Sequence, residues 1–173
     1  EMVQNLMVLR FANIFLSPLW NRNHIKSVII TFKEDIGCDG RGGYFDSAGI
    51  IRDVMQNHLL QILSITAMEP PVKVTGEGHS EYVRDEKVKV LRCIKPLTTD
   101  DVILGQYVAG NGHPGYLDDE TCNNPYCPTF AMAQFEINNP RWDGVPFIMK
   151  AGKALDSRKG DCLLYTSPSP RDR

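Results

Sequence analysis

Neither a long apolar run nor an excess of charge of one sign is present in this sequence. Its apolar stretches are too short to cross a membrane, so no membrane segment is expected. The 19 basic residues nearly balance the 21 acidic ones, and the net charge is −2. Since nucleic acids and anionic membranes are bound by strongly basic surfaces, the composition argues against both partners.

The sequence also lacks a recognisable disulfide or metal-binding pattern. Its five cysteines are odd in number and irregularly spaced, which favours a reducing compartment and therefore a cytoplasmic protein. His113, Cys122 and Cys127 would give a zinc ion only three ligands, at a spacing that fits no common zinc motif. We therefore predict an ordinary loop here and no metal site.

No glycine cluster matches a nucleotide-binding fingerprint. Gly37, Gly40, Gly42 and Gly43 precede a predicted helix, and free amides at a helix start can hold an anion. Their spacing, however, fits neither the dinucleotide fingerprint nor the phosphate loop. A turn is the default interpretation, and phosphate binding is the alternative.

The apolar residues, 42% of the total, are sufficient to build a core. Their helical spacing predicts helices over 2–14 and 47–68, the second capped by Asp46 or Ser47. The stretch 84–94 fits a helix or a strand equally well, and the predicted strands are 27–32, 102–108, 129–137 and 146–150. Because helices come early and strands late, we expect an α+β fold, with helices packed on one face of a mainly antiparallel sheet.

The end of the chain differs in composition from the rest. Residues 160–173 finish with the run TSPSPRDR, which has no apolar periodicity and cannot contribute to a core. We therefore divide the chain into a globular domain, 1–159, and a tail, 160–173, that is disordered or not native to the protein.

One histidine is a candidate catalytic group. At a helical spacing of four residues, His58 falls in a row with the apolar residues Ile50, Val54 and Ile62. A buried histidine with one satisfied hydrogen bond is the simpler interpretation. The alternative is a partly desolvated, neutral imidazole that serves as a general base.

Charged residues at the ends of two predicted strands are further candidates. Lys33 and Glu34 close the first strand, beside a loop, where polar side chains often build sites. A run of cations follows the last predicted strand and could bind phosphate, although such runs are more often solvated surface. Its members are Lys150, Lys153, Arg158 and Lys159.

Five segments, read together, resemble one known family. They are RGGYFD at 41–46, GIIRDVMQNHLLQ at 49–61, RDEKVKVL at 84–91, RWDGVPF at 141–147 and GKAL at 152–155. The family is that of the glucose-6-phosphate dehydrogenases, and the run RDVMQNHLLQ is highly specific to it. The resemblance extends from Glu1 to about Lys159.

The resemblance implies a reaction and the residues for it. In the family, the histidine of the QNHLL motif, here His58, takes the proton of the anomeric hydroxyl while hydride leaves glucose 6-phosphate for NADP, and a lactone forms. The positions that match Glu34, Asp53, Lys153 and Arg158 contact the substrate. The family's nucleotide-binding Rossmann domain precedes the matched region, so we expect the chain alone to be inactive.

The resemblance also implies partners. Lys150 and Lys159 match positions that hold a second, structural NADP in some members, although the family often has arginine, with its planar fork, in place of Lys150. The sheet domain of the family makes its dimer contact, so we expect a homodimer or homotetramer of the full-length enzyme. The competing hypothesis is a module that binds sugar phosphate, or assembles, without catalysis.

Overall fold

The computed structural model describes residues 2–166. Its helices are α1 (Met2–Phe11), α2 (Gly42–Ile50), α3 (Leu60–Ala67) and α4 (His79–Cys93), with a π-helix, Ile51–Leu59, between α2 and α3. The strands are β1 (Ile25–Lys33), β2 (Val102–Gly105), β3 (Phe130–Phe135), β4 (Phe147–Gly152) and β5 (Lys159–Thr166). Short 3₁₀ helices lie at Ile14–Leu19, Thr99–Asp101 and Tyr116–Asp118.

The five strands form one sheet in the order β2-β3-β4-β1-β5. The pair β4 and β1 is parallel, and Val28 lies opposite Phe147. The other three pairs are antiparallel. A parallel pair needs a long crossover connection, and here α2, α3 and α4 all lie between the two strands in sequence. The predicted α+β class with a mainly antiparallel sheet is therefore confirmed.

Helical segments pack against one face of the sheet and form the core there. Alternate side chains of three strands are buried on this face, as the two-residue period of a strand requires: Val28, Ile30, Ala131, Ala133, Phe135, Phe147, Met149 and Ala151. The indole nitrogens of Trp20 and Trp142 tie the end of α3 to this core, donating at 2.8 Å to the carbonyls of Thr66 and Ala67. Buried indoles need such partners, because an unpaired buried donor is costly.

The opposite face of the sheet, called the open face below, is only partly covered. Its apolar side chains are half-buried or exposed, and they are Ile29, Ile103, Met132, Ile148 and Leu163. The strand register places Ile29 between Ile148 on β4 and Leu163 on β5. Cross-strand neighbours of this kind are in contact, so the open face carries a continuous apolar row.

The predicted helix over 47–68 is wrong in its start and in its continuity. Helix α2 already begins at Gly42, and no side chain in the described part of the chain, Asp46 included, caps it. Gly49 then interrupts the helix with φ 64° and ψ 170°, a conformation essentially confined to glycine. Residues 51–59 follow as a π-helix, whose i→i+5 hydrogen bonds place more residues in each turn than an α-helix has.

The structure settles one open sequence prediction and corrects another. Residues 84–94, which fitted either type of element, belong almost entirely to α4. The predicted disorder from residue 160 onwards is wrong for the first part of the tail, because Lys159–Thr166 form β5, antiparallel to β1. Ladder hydrogen bonds with β1 order this strand, and its alternate residues Cys162 and Leu164 pack against the core. The remaining tail residues, 167–173, lie outside the described part of the chain.

Candidate functional site

A largely buried ion pair joins the ends of the two parallel strands. Lys33, the last residue of β1, lies opposite Gly152, the last residue of β4, so Glu34 and Lys153 follow side by side. Lys153 Nζ is 2.6 Å from a carboxylate oxygen of Glu34, and the two side chains are 13% and 20% exposed. The amide of Glu34 also donates to the carbonyl of Gly152 at 2.9 Å, which fixes the two backbones at this point.

A second ion pair lies at the same edge of the sheet. Lys33 Nζ is 2.6 Å from Asp156, whose side chain is 77% exposed. The hydrogen bond from Lys33 holds the pKa of the Asp156 carboxyl below its ordinary value. Exposed pairs of this kind add little stability, and strand alternation directs the side chain of Lys33 to the opposite face from that of Glu34.

The ammonium group of Lys153 also lies over an aromatic ring. Its nitrogen is 5.3 Å from the ring centroid of Phe45, whose side chain is 3% exposed. This distance is within the range of a cation–π interaction, about 6 Å. Sequence reasoning missed Phe45, because its apolar character distinguishes it from no other core residue. The one available signal was its position in the segment RGGYFD.

Asp53 and His58 lie on the π-helix, which packs against β1 and β4. Val54, Met55 and Leu59 are buried, whereas Asp53 is half-buried and His58 is exposed. The expectation that His58 sits in a buried apolar row is therefore wrong. Gln56 and Asn57 are exposed as well, so the buried face of the π-helix does not reach His58, although Val54 lies four residues before it.

The other three predicted cations lie on β4, on β5 or immediately before β5. Arg158 is exposed and immediately precedes β5. Lys150 of β4 and Lys159 of β5 lie on the open face, on either side of β1. The Nζ of Lys159 is 2.6 Å from Asp161, and this hydrogen bond raises the pKa of Lys159 above its ordinary value. The structure thus brings Glu34 and Lys153 together directly and places Lys150 and Lys159 on the open face.

The glycine loop before α2 already binds side-chain oxygens of its own chain. The amide of Gly40 donates to a carboxylate oxygen of Asp119 at 2.8 Å, and the amide of Gly42 donates to the hydroxyl of Thr121 at 3.0 Å. Hydrogen bonds from Thr121 and then from Gly40 lower the pKa of Asp119. The amides that could have held a phosphate therefore face the neighbouring loop, which agrees with the interpretation as a turn.

The three residues considered as zinc ligands have different surroundings. Cys122 and Cys127 are buried, whereas His113 is exposed. The thiol of Cys127 lies 3.3 Å from the carbonyl of Phe45, and burial raises its pKa. Within residues 2–166, no three side chains of His, Cys, Asp or Glu are close enough to hold a metal ion. In the same part of the chain, no helix is long and apolar enough to cross a membrane.

A sequence model of a known family matches nearly the whole chain. The family is described as "Glucose-6-phosphate dehydrogenase, C-terminal domain", and the matched residues are 7–169. Among curated relatives, the glucose-6-phosphate 1-dehydrogenase of Dictyostelium discoideum is 60% identical over 167 residues. The alignment covers 95% of this chain and 33% of the relative, so the chain spans about a third of the length of that protein.

Solved structures agree in both fold and sequence. A glucose-6-phosphate dehydrogenase in complex with its substrate glucose-6-phosphate has a TM-score of 0.90 and 50% identity, over 100% of this chain and 36% of the other. The glucose-6-phosphate 1-dehydrogenase of Mycobacterium avium has a TM-score of 0.87 and 37% identity, over 97% of this chain and 36% of the other. The chain therefore belongs to the glucose-6-phosphate dehydrogenase C-terminal domain family.

Proposed function

We propose that this chain is the part of a glucose-6-phosphate dehydrogenase that binds the sugar phosphate and carries the catalytic base. The reaction is the oxidation of glucose 6-phosphate to the 6-phospho-lactone with NADP, in the pentose phosphate pathway. The observation that carries the proposal is the Glu34–Lys153 ion pair at the ends of β1 and β4. Two residues that the resemblance assigns to the substrate, far apart in sequence, are in direct contact there.

The side chains at this edge offer the chemistry that a phosphorylated sugar needs. A carboxylate such as Glu34 accepts hydrogen bonds from hydroxyl groups, and a lysine ammonium can donate three. Asp53 on the π-helix adds a second, half-buried carboxylate. Arg158 adds an exposed guanidinium, whose fork of donors matches phosphate oxygens. We therefore assign Glu34, Asp53, Lys153 and Arg158 to the substrate.

His58 is the proposed proton acceptor. Its exposure leaves the ring open to a substrate hydroxyl, and an imidazole is the side chain that most often accepts protons near neutral pH. As the anomeric carbon of the sugar loses hydride, the proton of its hydroxyl passes to a ring nitrogen of His58, and the carbon–oxygen bond becomes the lactone carbonyl. A bound nicotinamide cofactor would supply the hydride acceptor.

Lysines on the open face fit the phosphate groups of a second, structural NADP. Strand register groups Lys33, Lys150 and Lys159 on neighbouring strands, and clustered cations suit phosphate. Lys33 and Lys159 are engaged with Asp156 and Asp161, whereas Lys150 forms no ion pair within residues 2–166. We assign Lys150 and Lys159 to this site, with Lys150 providing a point charge rather than a fork.

The open face is also the proposed surface for self-association. Its apolar row, Ile148, Ile29 and Leu163, is half-buried or exposed in the single chain. Contiguous apolar surface of this kind marks interaction sites. We propose that the full-length protein forms a homodimer, or a homotetramer of two dimers, through this face.

The cysteines support a cytoplasmic location for the proposed enzyme. All five carry free thiols, and three of them are buried. Free thiols persist in a reducing compartment, whereas oxidising compartments favour disulfides.

A second candidate function is binding of sugar phosphate without catalysis. The observation that favours it concerns His58, which none of the ion pairs within residues 2–166 includes. A general base is usually oriented by a partner group. The proposed binding residues Glu34 and Lys153, in contrast, are in direct contact.

The test is a chimera in which this chain replaces the matching third of the Dictyostelium relative, assayed by NADPH absorbance. His58→Asn should lower kcat by roughly 10²- to 10⁴-fold with little change in KM, because it removes the proton acceptor. Lys153→Ala should raise KM with little change in kcat, because it removes a binding contact. The controls are His24→Asn and Lys26→Ala, at two exposed residues just before and just inside β1, and both variants should behave as the parent.

Thermal melting of every variant separates loss of activity from unfolding. A His58→Asn chimera with near-normal kcat and an unchanged melting temperature would contradict the role of His58 as the base. An unsubstituted chimera that binds glucose 6-phosphate without turnover would favour the binding module.

A further inference from the structure

Lys153 is held from two directions. Its ammonium nitrogen lies 2.6 Å from a Glu34 carboxylate oxygen and 5.3 Å from the ring centroid of Phe45. A lysine ammonium has three donors at the end of a flexible four-carbon stem. The carboxylate takes one donor, whereas the ring attracts the charge through its quadrupole. The ring thus restrains the ammonium while donors remain for a ligand.

Phe45 packs against Tyr116, which in turn packs against Tyr107. The Tyr116 ring meets Phe45 edge-on, with centroids 6.2 Å apart, and Tyr107 meets Tyr116 edge-on at 5.7 Å. Tyr116 is fully buried, and its hydroxyl donates to Asp46, the next residue after Phe45. The hydroxyl of Tyr107 accepts from the amide of Cys38 at 3.0 Å, in the loop that follows β1. Phe45 lies beside Lys153, and Tyr107 binds the loop that follows Glu34. The aromatic triad of Phe45, Tyr116 and Tyr107 therefore links the surroundings of Lys153 to the loop after Glu34.

We propose that Phe45, braced by Tyr116 and Tyr107, positions Lys153 for the substrate. The inference rests on the proposed function, because it needs Lys153 to contact glucose 6-phosphate. Sugar hydroxyls compete with Lys153 for the carboxylate of Glu34, and a lysine that loses this partner is free to move on its stem. The ring of Phe45 keeps the ammonium in place during that exchange, so Phe45 acts on substrate affinity rather than on the chemical step.

Simple core packing is the competing explanation for Phe45. The residue is 3% exposed and belongs to the core cluster. Phe45→Leu would therefore leave a cavity and destabilise the fold, whatever the ring does for Lys153. A decisive experiment must change the electron density of the ring while keeping its shape. Fluorine atoms on the ring do this, because they withdraw the negative charge that the face presents to a cation.

The test uses the same chimera, with Phe45 replaced by phenylalanine carrying one, two or three fluorine atoms. The KM for glucose 6-phosphate should rise with each fluorine, by roughly 2- to 30-fold in total, while kcat stays nearly constant. The matched control is the same series at Phe147. This ring is fully buried and meets Trp142 edge-on, with centroids 5.2 Å apart. Fluorination there should leave KM unchanged.

Each outcome decides between the two explanations. A KM that stays flat along the series at Phe45, in an active chimera with normal melting temperatures, overturns the positioning role and leaves the proposed function intact. An equal rise at Phe147 also overturns it, because a general packing effect would then explain both series. An unsubstituted chimera without activity contradicts the proposed function, and the inference fails with it.

Discussion

The carboxylate of Asp46 joins helix α2 to the long loop before β3. It accepts hydrogen bonds from the hydroxyl of Tyr116 and, at 2.7 Å, from the amide of Asn123. Burial opposes ionisation of Asp46, but these hydrogen bonds outweigh burial, and the pKa of Asp46 lies below its ordinary value. Hydrogen bonds to the charged form have this effect on a carboxyl group. The ionised side chain therefore holds the loop, and with it Tyr116, against α2.

Asp46→Asn should destabilise the chain by about 1–3 kcal/mol at pH 7, because it removes a charged acceptor. Since the folded pKa is lowered, the stabilisation is fully present above the unfolded pKa, about 3.9, and is lost as the pH falls through the folded pKa. Urea unfolding of both proteins between pH 7 and pH 2 measures the difference, which should shrink below about pH 4. Asp35→Asn, at an exposed position, is the control for loss of one negative charge.

A difference between the parent and Asp46→Asn that grew on acidification would contradict the direction of the pKa shift. An equal loss of stability in Asp35→Asn would show that net charge, rather than the hydrogen bonds to Tyr116 and Asn123, is responsible.

Sequence reasoning identified the members of the ion pair but not their surroundings. Glu34 and Lys153 follow strands and match family motifs, and the structure places them in contact. Their roles towards the substrate stay predictions. Phe45 and Tyr116 were missed, because their contacts join a helix to a distant loop and no local pattern encodes such contacts. The burial expected for His58 failed for a different reason: residues 56–58 of the π-helix are all exposed, and spacing from an apolar residue does not show where the sheet ends beneath a helix.

Gly49 marks the point where a regular helix ends and the π-helix can begin. Its backbone has φ 64° and ψ 170°. The amide of the next residue, Ile50, donates to the carbonyl of Pro128 at 2.9 Å. A methyl group added at Gly49 would lie only 3.1 Å from Cδ of Pro128. The loop before β3 therefore packs closely against this break, and the break sets the direction of the helix that carries Asp53 and His58.

Gly49→Ala should destabilise the chain by about 1–3 kcal/mol, because a side chain is strained in this backbone conformation. The matched control is Gly43→Ala in α2, where an added methyl group meets no atom of residues 2–166 within 4 Å. There the substitution should be neutral or stabilise by up to about 1 kcal/mol, since alanine favours a helix. Urea unfolding of both variants gives the comparison. Equal changes in the free energy of unfolding for Gly49→Ala and Gly43→Ala would contradict the backbone strain assigned to Gly49.

The positions of most strands were predictable from the sequence, whereas the interruption of the helix at Gly49 was not. The apolar stretches at 27–32, 129–137 and 146–150 lie close to β1, β3 and β4. Strands buried on one face leave a short local pattern of that kind. Gly49 lies within 47–68, where the apolar residues have helical spacing. That spacing carries no information on the positive φ of Gly49, which interrupts the helix. The strand β5 was missed, because the run TSPSPRDR dominated the interpretation of 160–173, although Cys162 and Leu164 before it pack against the core.

The sheet divides the molecule into a covered side and the open face. Side chains towards the helices are mostly fully buried, whereas Ile103 and Leu163 on the open face are 56% and 41% exposed. The register that produces this asymmetry could not be read from the sequence. Only the one-sided α+β arrangement was expected from the order of the elements.

Ile148→Glu should weaken self-association of the chimera at least about tenfold in Kd, because it places an unpaired charge within the apolar row of the open face. Sedimentation at several protein concentrations measures the shift towards monomer. Val72→Glu is the matched control, since Val72 is 80% exposed in the connection between α3 and α4. If Ile148→Glu and the parent have the same mass distribution, the open face is not the surface of self-association.

The parallel pairing of β1 with β4 has a consequence for how the chain folds. Helices α2 to α4 and strands β2 and β3 are all made between these two strands. At synthesis rates of about 5–20 residues per second, a newly made β1 waits on the order of ten seconds for its partner. Pairings of such high contact order are also slow to close once both strands exist. The speed of translation through the intervening segment therefore sets how long the edges of β1 remain open to other nascent chains.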